Sequence, residues 1–224
     1  MNIGSVLHIL SVIVLPLLFA ITLHEVAHGW VASKLGDKTA VMLGLVRMNP
    51  MKHIDPFGTV LLPIIVFVLS HCTFIFGWAK PVPVTWQNLH KPRRDMILVA
   101  LAGPFANFLM ALLWACVAKI SLLLAMVSTG QSAQSVLLFF KLSGIFGITI
   151  NCIFMLLNLI PLPPLDGSRF ISALLPSSVA RQYDRIEPYG IWILLALAMF
   201  GILSKILLSP VIYSVFLIHA AFGL

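Results

Sequence analysis

Two histidines and a glutamate in HEVAH (24–28) have the residue types and the spacing of a metal-dependent hydrolytic site. On a helix, positions four residues apart differ by about 40° around the axis, so His24 and His28 present their imidazoles on one face. Glu25 projects about 100° from His24, beside the metal rather than on it. The pattern therefore predicts two zinc ligands and a carboxylate able to deprotonate a water molecule.

The setting of this motif is an apolar segment of membrane-spanning length. The run Ile3–Leu23 contains no Asp, Glu, Lys or Arg, and about 20 apolar residues cross a bilayer as a helix. A charged side chain at the centre of such a helix costs about 2.5–3.5 kcal/mol on insertion scales. A bound divalent ion would offset that cost. The alternative is a motif at the membrane surface, with Glu25 reaching water and both histidines hydrogen-bonded.

A catalytic zinc site needs a third protein ligand, and the chain offers only 7 acidic residues. Asp166 stands apart because it follows an apolar helix in NLIPLPPLDGSR (158–169), where three prolines cannot continue the helix. The chain must unwind near membrane depth, with Gly167 permitting a tight turn. Asp166 is therefore the predicted third ligand. Four other acidic residues look peripheral: Asp37, Asp95, Asp184 and Glu187.

Composition excludes a soluble domain. Hydrophobic residues make up 60% of the 224 residues, charged residues 9%, and the mean hydropathy is +1.06, whereas soluble domains have about 25% charged residues. We expect an all-α polytopic membrane protein, a helix bundle forming one membrane-embedded domain (1–224) with a catalytic core at about 3–170 and C-terminal helices at about 188–224. The uncharged stretches of spanning length are Ile3–Leu23, Phe57–Phe76, Met96–Ala118, Ile120–Phe140, Leu142–Leu165 and Ile206–Leu224.

The net charge of +7 reflects membrane topology rather than nucleic-acid binding. Most basic residues fall in three connecting regions, as expected for loops on the cytoplasmic side. A single crossing at Phe57–Phe76 would place the second basic region outside. We therefore expect a re-entrant hairpin returning through FGWAKPVPV (76–84), whose alternating prolines favour a short extended segment near the zinc site. An ordinary helix followed by a loop is the alternative.

HEVAH in the first helix and NLIPLPPLDG far downstream together resemble the site-2 protease family of intramembrane zinc metalloproteases, whose pattern is HExxH with a distant NxxPxPxLDG. LAGPFAN (101–107) is similar to the Gly-Pro-Asn segment on the helix between those motifs. The resemblance extends from about Ser11 to Arg169. The stretch between KHIDPFG and LAGP further resembles a compact prokaryotic subgroup without a PDZ or CBS domain.

The resemblance implies that His24, His28 and Asp166 bind one Zn2+ per chain and that Glu25 is the general base. It implies hydrolysis of peptide bonds in or near transmembrane segments of other membrane proteins, for regulated proteolysis or clearance of signal-peptide remnants. The expected partners are such substrates and the lipid bilayer, with no nucleic acid. The expected location is the prokaryotic cytoplasmic membrane, as a multi-pass protein with its active site towards the cytoplasm.

Four more residues are candidates for substrate binding or site support. A substrate helix must unfold before cleavage, and its free strand can pair with residues 78–84 around Val82 and Val84 by β-addition. Asn158 either holds the proline loop and a substrate backbone or caps the broken helix. Asn107 either supports the site across helices or packs in the core.

The competing interpretation is a non-proteolytic metal-binding membrane protein or a transporter. A metal binder does not need Glu25, and a transporter should carry polar residues along several helices, which are almost absent here. Replacing Glu25 by glutamine discriminates the two classes, because only a protease has cleavage to lose.

Overall fold

The computed structural model is helical throughout its regular elements and describes residues 3–53, 55–61, 65 and 80–224. Four described helices are long and apolar enough to cross a membrane, which makes this a polytopic membrane protein as predicted; the spans are Leu10–Lys34, Pro92–Val127, Gln131–Asn158 and Ile202–Phe222. In chain order the α-helices are α1 (Ile3–Lys34), α2 (Thr39–Met42), α3 (Pro92–Val127), α4 (Gln131–Asn158), α5 (Asp166–Leu174), α6 (Ser177–Asp184), α7 (Glu187–Met199) and α8 (Ile202–Phe222). Short 3₁₀ turns lie at Pro50–Lys52 and Trp86–Asn88, and a π-helical turn lies at Pro56–Leu61.

Helix α3 forms the centre of the bundle, because α1, α4, α5 and α8 all pack against it. Small residues allow α4 to approach closely: a Cβ on Gly144 would lie 2.8 Å from the Trp114 carbonyl oxygen, and one on Gly147 would lie 2.3 Å from the Trp114 ring. Trp114, Ile148 and Cys152 share a buried apolar cluster. Leu15 and Leu23 of α1, the helix that carries HEVAH, pack against the same cluster, which therefore joins all three helices.

The proline-rich segment interrupts the helical structure between two helices, as predicted. Helix α4 ends at Asn158, and α5 begins at Asp166. The predicted tight turn at Gly167 is wrong, because Gly167 lies inside α5. A Cβ there would lie 2.4 Å from the Leu159 carbonyl oxygen, so the glycine allows α5 to pack directly on the loop that precedes it. Asp166 thereby enters the site from the first turn of a helix.

Most of the predicted re-entrant hairpin at 57–76 lies outside the described residues. Residues 80–85 are described and are not helical. The Lys80 N–H donates to the His53 carbonyl oxygen at 2.9 Å, and the His90 N–H donates to the Leu35 carbonyl oxygen at 2.9 Å. The segment 80–90 is therefore attached to His53 at its first residue and to the end of α1 at its last residue.

A buried carboxylate fastens this segment in place. Asp37 has 0% of its surface exposed and accepts hydrogen bonds from the Thr85 N–H at 2.7 Å and from Asn88 Nδ2 at 3.1 Å. The N–H and hydroxyl of Thr39 also donate to it. Asp95 is buried too and accepts a 2.7 Å hydrogen bond from the Lys91 N–H at the start of α3. Both carboxylates are buried acceptors, and both lie outside the group of possible metal ligands, in line with the prediction that they are peripheral to it.

Candidate metal centre and active-site cleft

Three predicted ligands converge on one point. The ligand atoms of His24, His28 and Asp166 all lie within 4.8 Å of one another. Each histidine Nε2 lies 3.2 Å from Asp166 Oδ2, and the two Nε2 atoms are 3.1 Å apart. Helix α1 presents the histidines one turn apart on one face, and the first residue of α5 presents the carboxylate.

Hydrogen bonds at Nδ1 of each imidazole determine the protonation of the Nε2 atom that faces Asp166. Nδ1 of His24 lies 2.8 Å from Asn107 Oδ1, and Nδ1 of His28 lies 2.7 Å from the Val99 carbonyl oxygen. Both partners are acceptors, so each Nδ1 carries the proton and donates it. In the neutral imidazoles, both Nε2 lone pairs then point towards Asp166.

This arrangement fits a bound cation. Two nitrogen lone pairs and a carboxylate oxygen face one another at close range and repel one another. A cation between them would attract all three groups and offset this repulsion. Asp166 Oδ2 is buried and has no hydrogen-bond partner among the described residues, although it faces both Nε2 atoms. Two histidines and one carboxylate form the donor set of several catalytic zinc sites, which leave a fourth position for water or substrate.

Gly103 leaves room for the two imidazoles between α1 and α3. A Cβ at this position would lie 2.3 Å from His28 Nε2 and 2.5 Å from His24 Cε1, far inside van der Waals contact. The LAGPFAN segment thus contributes both an acceptor, Asn107, and the space that the ligands occupy. Asn107 is fully buried behind His24 and is not among the residues that line the cleft.

Glu25 lies beside the ligand group and outside it. Its Oε2 accepts a 2.8 Å hydrogen bond from the Val82 N–H. Pro81 and Pro83 have no N–H, so Val82 provides the one backbone donor in this Pro-Val-Pro sequence. A half-buried carboxylate that keeps its second oxygen available beside a metal can take and return a proton.

A cleft of about 810 Å³ connects these groups. The predicted residues Val82, Val84 and Asn158 line it together with the three ligands and Glu25. Asn158 Nδ2 donates to the Phe154 carbonyl oxygen at 3.0 Å, within its own helix. The cleft also has apolar walls, to which Ile21, Ile153, Leu157, Ile191, Leu194, Leu203 and Leu207 contribute.

Three residues that sequence reasoning missed lie together in the cleft lining: Trp86, Arg169 and Glu187. Arg169 Nη2 makes an ion pair with Glu187 Oε1, and its guanidinium carbon lies 5.8 Å from the Trp86 ring centroid. The residues come from the 3₁₀ turn, from α5 and from α7. No local pattern signals their meeting, although Arg169 directly follows the LDGS sequence that drew attention to Asp166.

Comparison with known proteins gives one family and several relatives. The model of Peptidase family M50 matches residues 12–141, which include HEVAH and LAGPFAN and end before Asp166. YwhC of Bacillus subtilis, named as a candidate zinc metalloprotease, is 39% identical over 196 residues, covering 85% of this chain and 81% of the relative. Rip2 of Mycolicibacterium smegmatis and Rip2 of Mycobacterium tuberculosis, with the same designation, are each 24% identical, over 84% and 80% of this chain and 66% and 63% of the relatives. No solved structure matches the chain significantly.

Proposed function

This chain belongs to peptidase family M50, the site-2 protease family of intramembrane zinc metalloproteases, and on that premise we propose that His24, His28 and Asp166 hold one zinc ion while Glu25 acts as the general base. The observation that carries the proposal is the convergence of the three ligand atoms within 4.8 Å, with Glu25 on the same cleft. The metal would supply Lewis acidity towards a carbonyl oxygen and a water molecule.

The protein groups have separate tasks in peptide hydrolysis. Asn107 and the Val99 carbonyl hold the imidazole protons on Nδ1, which keeps both Nε2 atoms free as ligands. The Val82 N–H holds one oxygen of Glu25. The other oxygen takes a proton from the attacking water as the water oxygen bonds to the peptide carbon. Glu25 then gives that proton to the leaving nitrogen as the carbon–nitrogen bond breaks.

We propose transmembrane segments of other membrane proteins as substrates, cleaved for regulated proteolysis or for clearance of signal-peptide remnants. The support is a catalytic motif on a helix of spanning length and a cleft with apolar walls. Asn158 is proposed to bind a substrate backbone through its side-chain carbonyl, because its Nδ2 already donates to the Phe154 carbonyl oxygen.

Val82 and Val84 are proposed to guide the unwound substrate strand. Residues 80–85 are not helical, and in a fully extended strand N–H groups two residues apart point the same way, so an extended segment would direct the Val84 N–H to the side on which Val82 meets Glu25. The Val84 N–H makes no hydrogen bond to another described residue and is available for strand pairing. Replacing Val84 by proline should weaken cleavage and leave zinc bound; undiminished cleavage would contradict this role.

We also propose that the whole chain forms one membrane-embedded domain with its site towards the cytoplasm of a prokaryotic cell. Basic residues at the end of α1, at the start of α3 and on α5 and α6 support that orientation. The hydrogen bond between Lys80 and His53 supports a re-entrant hairpin at 57–76, because it joins the two sides of that segment. Both ends of the hairpin would then lie on one side of the membrane.

The test compares wild type with Glu25→Gln in proteoliposomes and in cells. Glutamine keeps the shape of the side chain but cannot accept the proton, so cleavage should fall by at least about 100-fold while zinc content stays the same. Peptide termini inside apolar segments should appear only with wild type. Equal cleavage by both proteins would overturn the assignment of Glu25.

A further inference from the structure

We propose that Arg169 selects substrates by binding a carboxylate located within about four residues of the scissile bond. The binding position is the corner of the cleft where Trp86, Arg169 and Glu187 meet. The proposal rests on the proposed proteolytic function and adds a substrate class to it. An acidic side chain and a free C-terminal carboxylate offer the same chemistry, and the experiment separates them.

The corner lies a short distance from the catalytic groups along two independent paths. On α5, Arg169 follows Asp166 by three residues, so it lies on a neighbouring face and about 4.5 Å further along the helix axis. On the other path, residues 82–85 are nonhelical and Trp86 begins the 3₁₀ turn four residues after Val82, a separation of at most about 13 Å in extended chain. A substrate strand running beside residues 82–86 therefore brings a nearby side chain to the guanidinium.

Arg169 has unused capacity for an anion. A guanidinium carries five N–H donors, and among the described residues Arg169 donates a hydrogen bond only to Glu187, through Nη2. Its side chain is 27% exposed, so the remaining donors can be reached from the cleft. Trp86 offers the guanidinium an aromatic contact without using an N–H.

The ion pair adds charge to a cleft lining that already contains Glu25 and Asp166. Arg169 is the one Lys or Arg among the described residues that line the cleft. Glu187, at the first turn of α7, is more exposed than Arg169, with 41% of its side chain accessible. It is thus an anion that a substrate carboxylate can join or displace. The exposed Arg181 on α6 lies outside the cleft lining and provides a matched control.

The probe is a library of single-pass peptides in proteoliposomes, with one residue varied among Asp, Asn and Lys at each position on both sides of an apolar cleavage region. In the first set, every peptide is amidated at the C-terminus. In a second set, the peptide chain ends at one of the varied positions with a free carboxylate. Products are identified by mass spectrometry with wild type, Arg169→Gln, Glu187→Gln, Arg181→Gln and Glu25→Gln. The measured quantity is the ratio of kcat/KM for Asp over Asn peptides.

Wild type should favour Asp over Asn by about tenfold at one position near the cut, as expected for a charge-assisted hydrogen bond. Arg169→Gln should reduce that ratio to about one, and Arg181→Gln should leave it unchanged. Glu187→Gln should increase the ratio, because it removes the competing anion. A purely structural ion pair predicts the same change from both Arg169→Gln and Glu187→Gln, so opposite changes support the proposal.

Several outcomes would overturn the proposal while leaving proteolysis intact. These are Glu25-dependent cleavage without an Asp preference, a preference retained in Arg169→Gln, or parallel effects of the two ion-pair variants. A preference seen only in the peptides with a free C-terminus would show that Arg169 binds C-terminal carboxylates. It would overturn the selection of acidic side chains. Absence of any Glu25-dependent cleavage would instead refute the proposed function itself.

Discussion

The backbone N–H of Val82 donates a 2.8 Å hydrogen bond to Glu25 Oε2, across 57 positions of sequence. The contact joins the nonhelical segment 80–85, beside the cleft, to Glu25, which directly follows the zinc-ligand candidate His24. Because the neighbouring prolines have no N–H, a shift of one residue in this segment would leave Glu25 without that donor. The register of residues 80–85 thus determines how Glu25, the proposed base, is oriented.

Replacing Val82 by proline should remove this donor while keeping an extended backbone. We expect kcat for cleavage to fall about tenfold, the effect of losing one hydrogen bond to a charged group. Zinc content should not change, because the Val82 N–H donates to Glu25 and not to a ligand candidate. Val82→Ala keeps the N–H and should lose much less activity. A proline variant with wild-type kcat would show that the hydrogen bond does not orient the base.

Replacing Gly103 by alanine should expel the metal. The added Cβ would lie 2.3 Å from His28 Nε2 and 2.5 Å from His24 Cε1, and both rings would have to move. We expect zinc affinity to fall by at least roughly tenfold, with a loss of stability of about 1–3 kcal/mol from overpacking. Zinc content by elemental analysis measures the first effect, and thermal unfolding in detergent measures the second.

Gly130→Ala is the matched control for this substitution. Its added Cβ would have its nearest neighbour at 4.0 Å, so zinc content should match wild type, and the loss of stability should be limited to the small cost of alanine at the N-cap of α4. Retention of full zinc by Gly103→Ala would mean that α1 and α3 separate easily, contrary to the close packing described above.

Replacing Asn107 by alanine should weaken zinc binding through His24. The Asn107 carbonyl accepts from His24 Nδ1 at 2.8 Å, and loss of such a partner typically costs 10–100-fold in metal affinity, so we expect about that range. Competition with a chelator measures it. Asn107→Asp keeps an acceptor and should bind zinc more tightly than the alanine variant.

Asn151→Ala separates this effect from general destabilisation. Asn151 is also fully buried, and its amide donates to the Gly147 carbonyl oxygen within α4. The substitution should lower stability without a comparable change in zinc affinity. If both alanine variants lost zinc equally, orientation of His24 by Asn107 would be excluded as the cause.

The convergence of His24, His28 and Asp166 could be predicted because its information is local. The spacing of His24 and His28 specifies one helix face, and the prolines before Asp166 specify a break at the end of an apolar helix. Long apolar runs likewise predicted the helices that carry these residues. Gly167 was misinterpreted because a glycine that permits close approach and one that permits a turn look the same in sequence.

Tertiary contacts carry the information that sequence could not supply. Arg169, Trp86 and Glu187 lie on three separate elements, and nothing near any of them indicates the other two. Asp37 has the appearance of an ordinary turn residue in LGDKTA. Its importance arises from donors that lie about 50 residues further along the chain, at Thr85 and Asn88.

Replacing Asp37 by asparagine tests whether this carboxylate maintains the segment that reaches Glu25. Burial alone would raise the pKa of Asp37, but hydrogen bonds from Thr39, Thr85 and Asn88 outweigh it and hold the pKa below its ordinary value. A depressed folded-state pKa contributes stability above the unfolded-state pKa of about 3.9, and that contribution is lost as the pH falls through the folded-state value.

Asp37→Asn should therefore be less stable than wild type at pH 7, by about 1–3 kcal/mol for lost hydrogen bonds to a charged group. The difference should shrink as the pH drops below about 4, because wild type then loses the same contribution. At neutral pH, kcat should fall with zinc retained, since a loosened Thr85 frees Val82 from Glu25. Unfolding in detergent across a pH series measures the stability, with Asp184→Asn as the control. Stability curves of Asp37→Asn and wild type that stay parallel down to low pH would rule out the ionised Asp37 as the anchor of this segment.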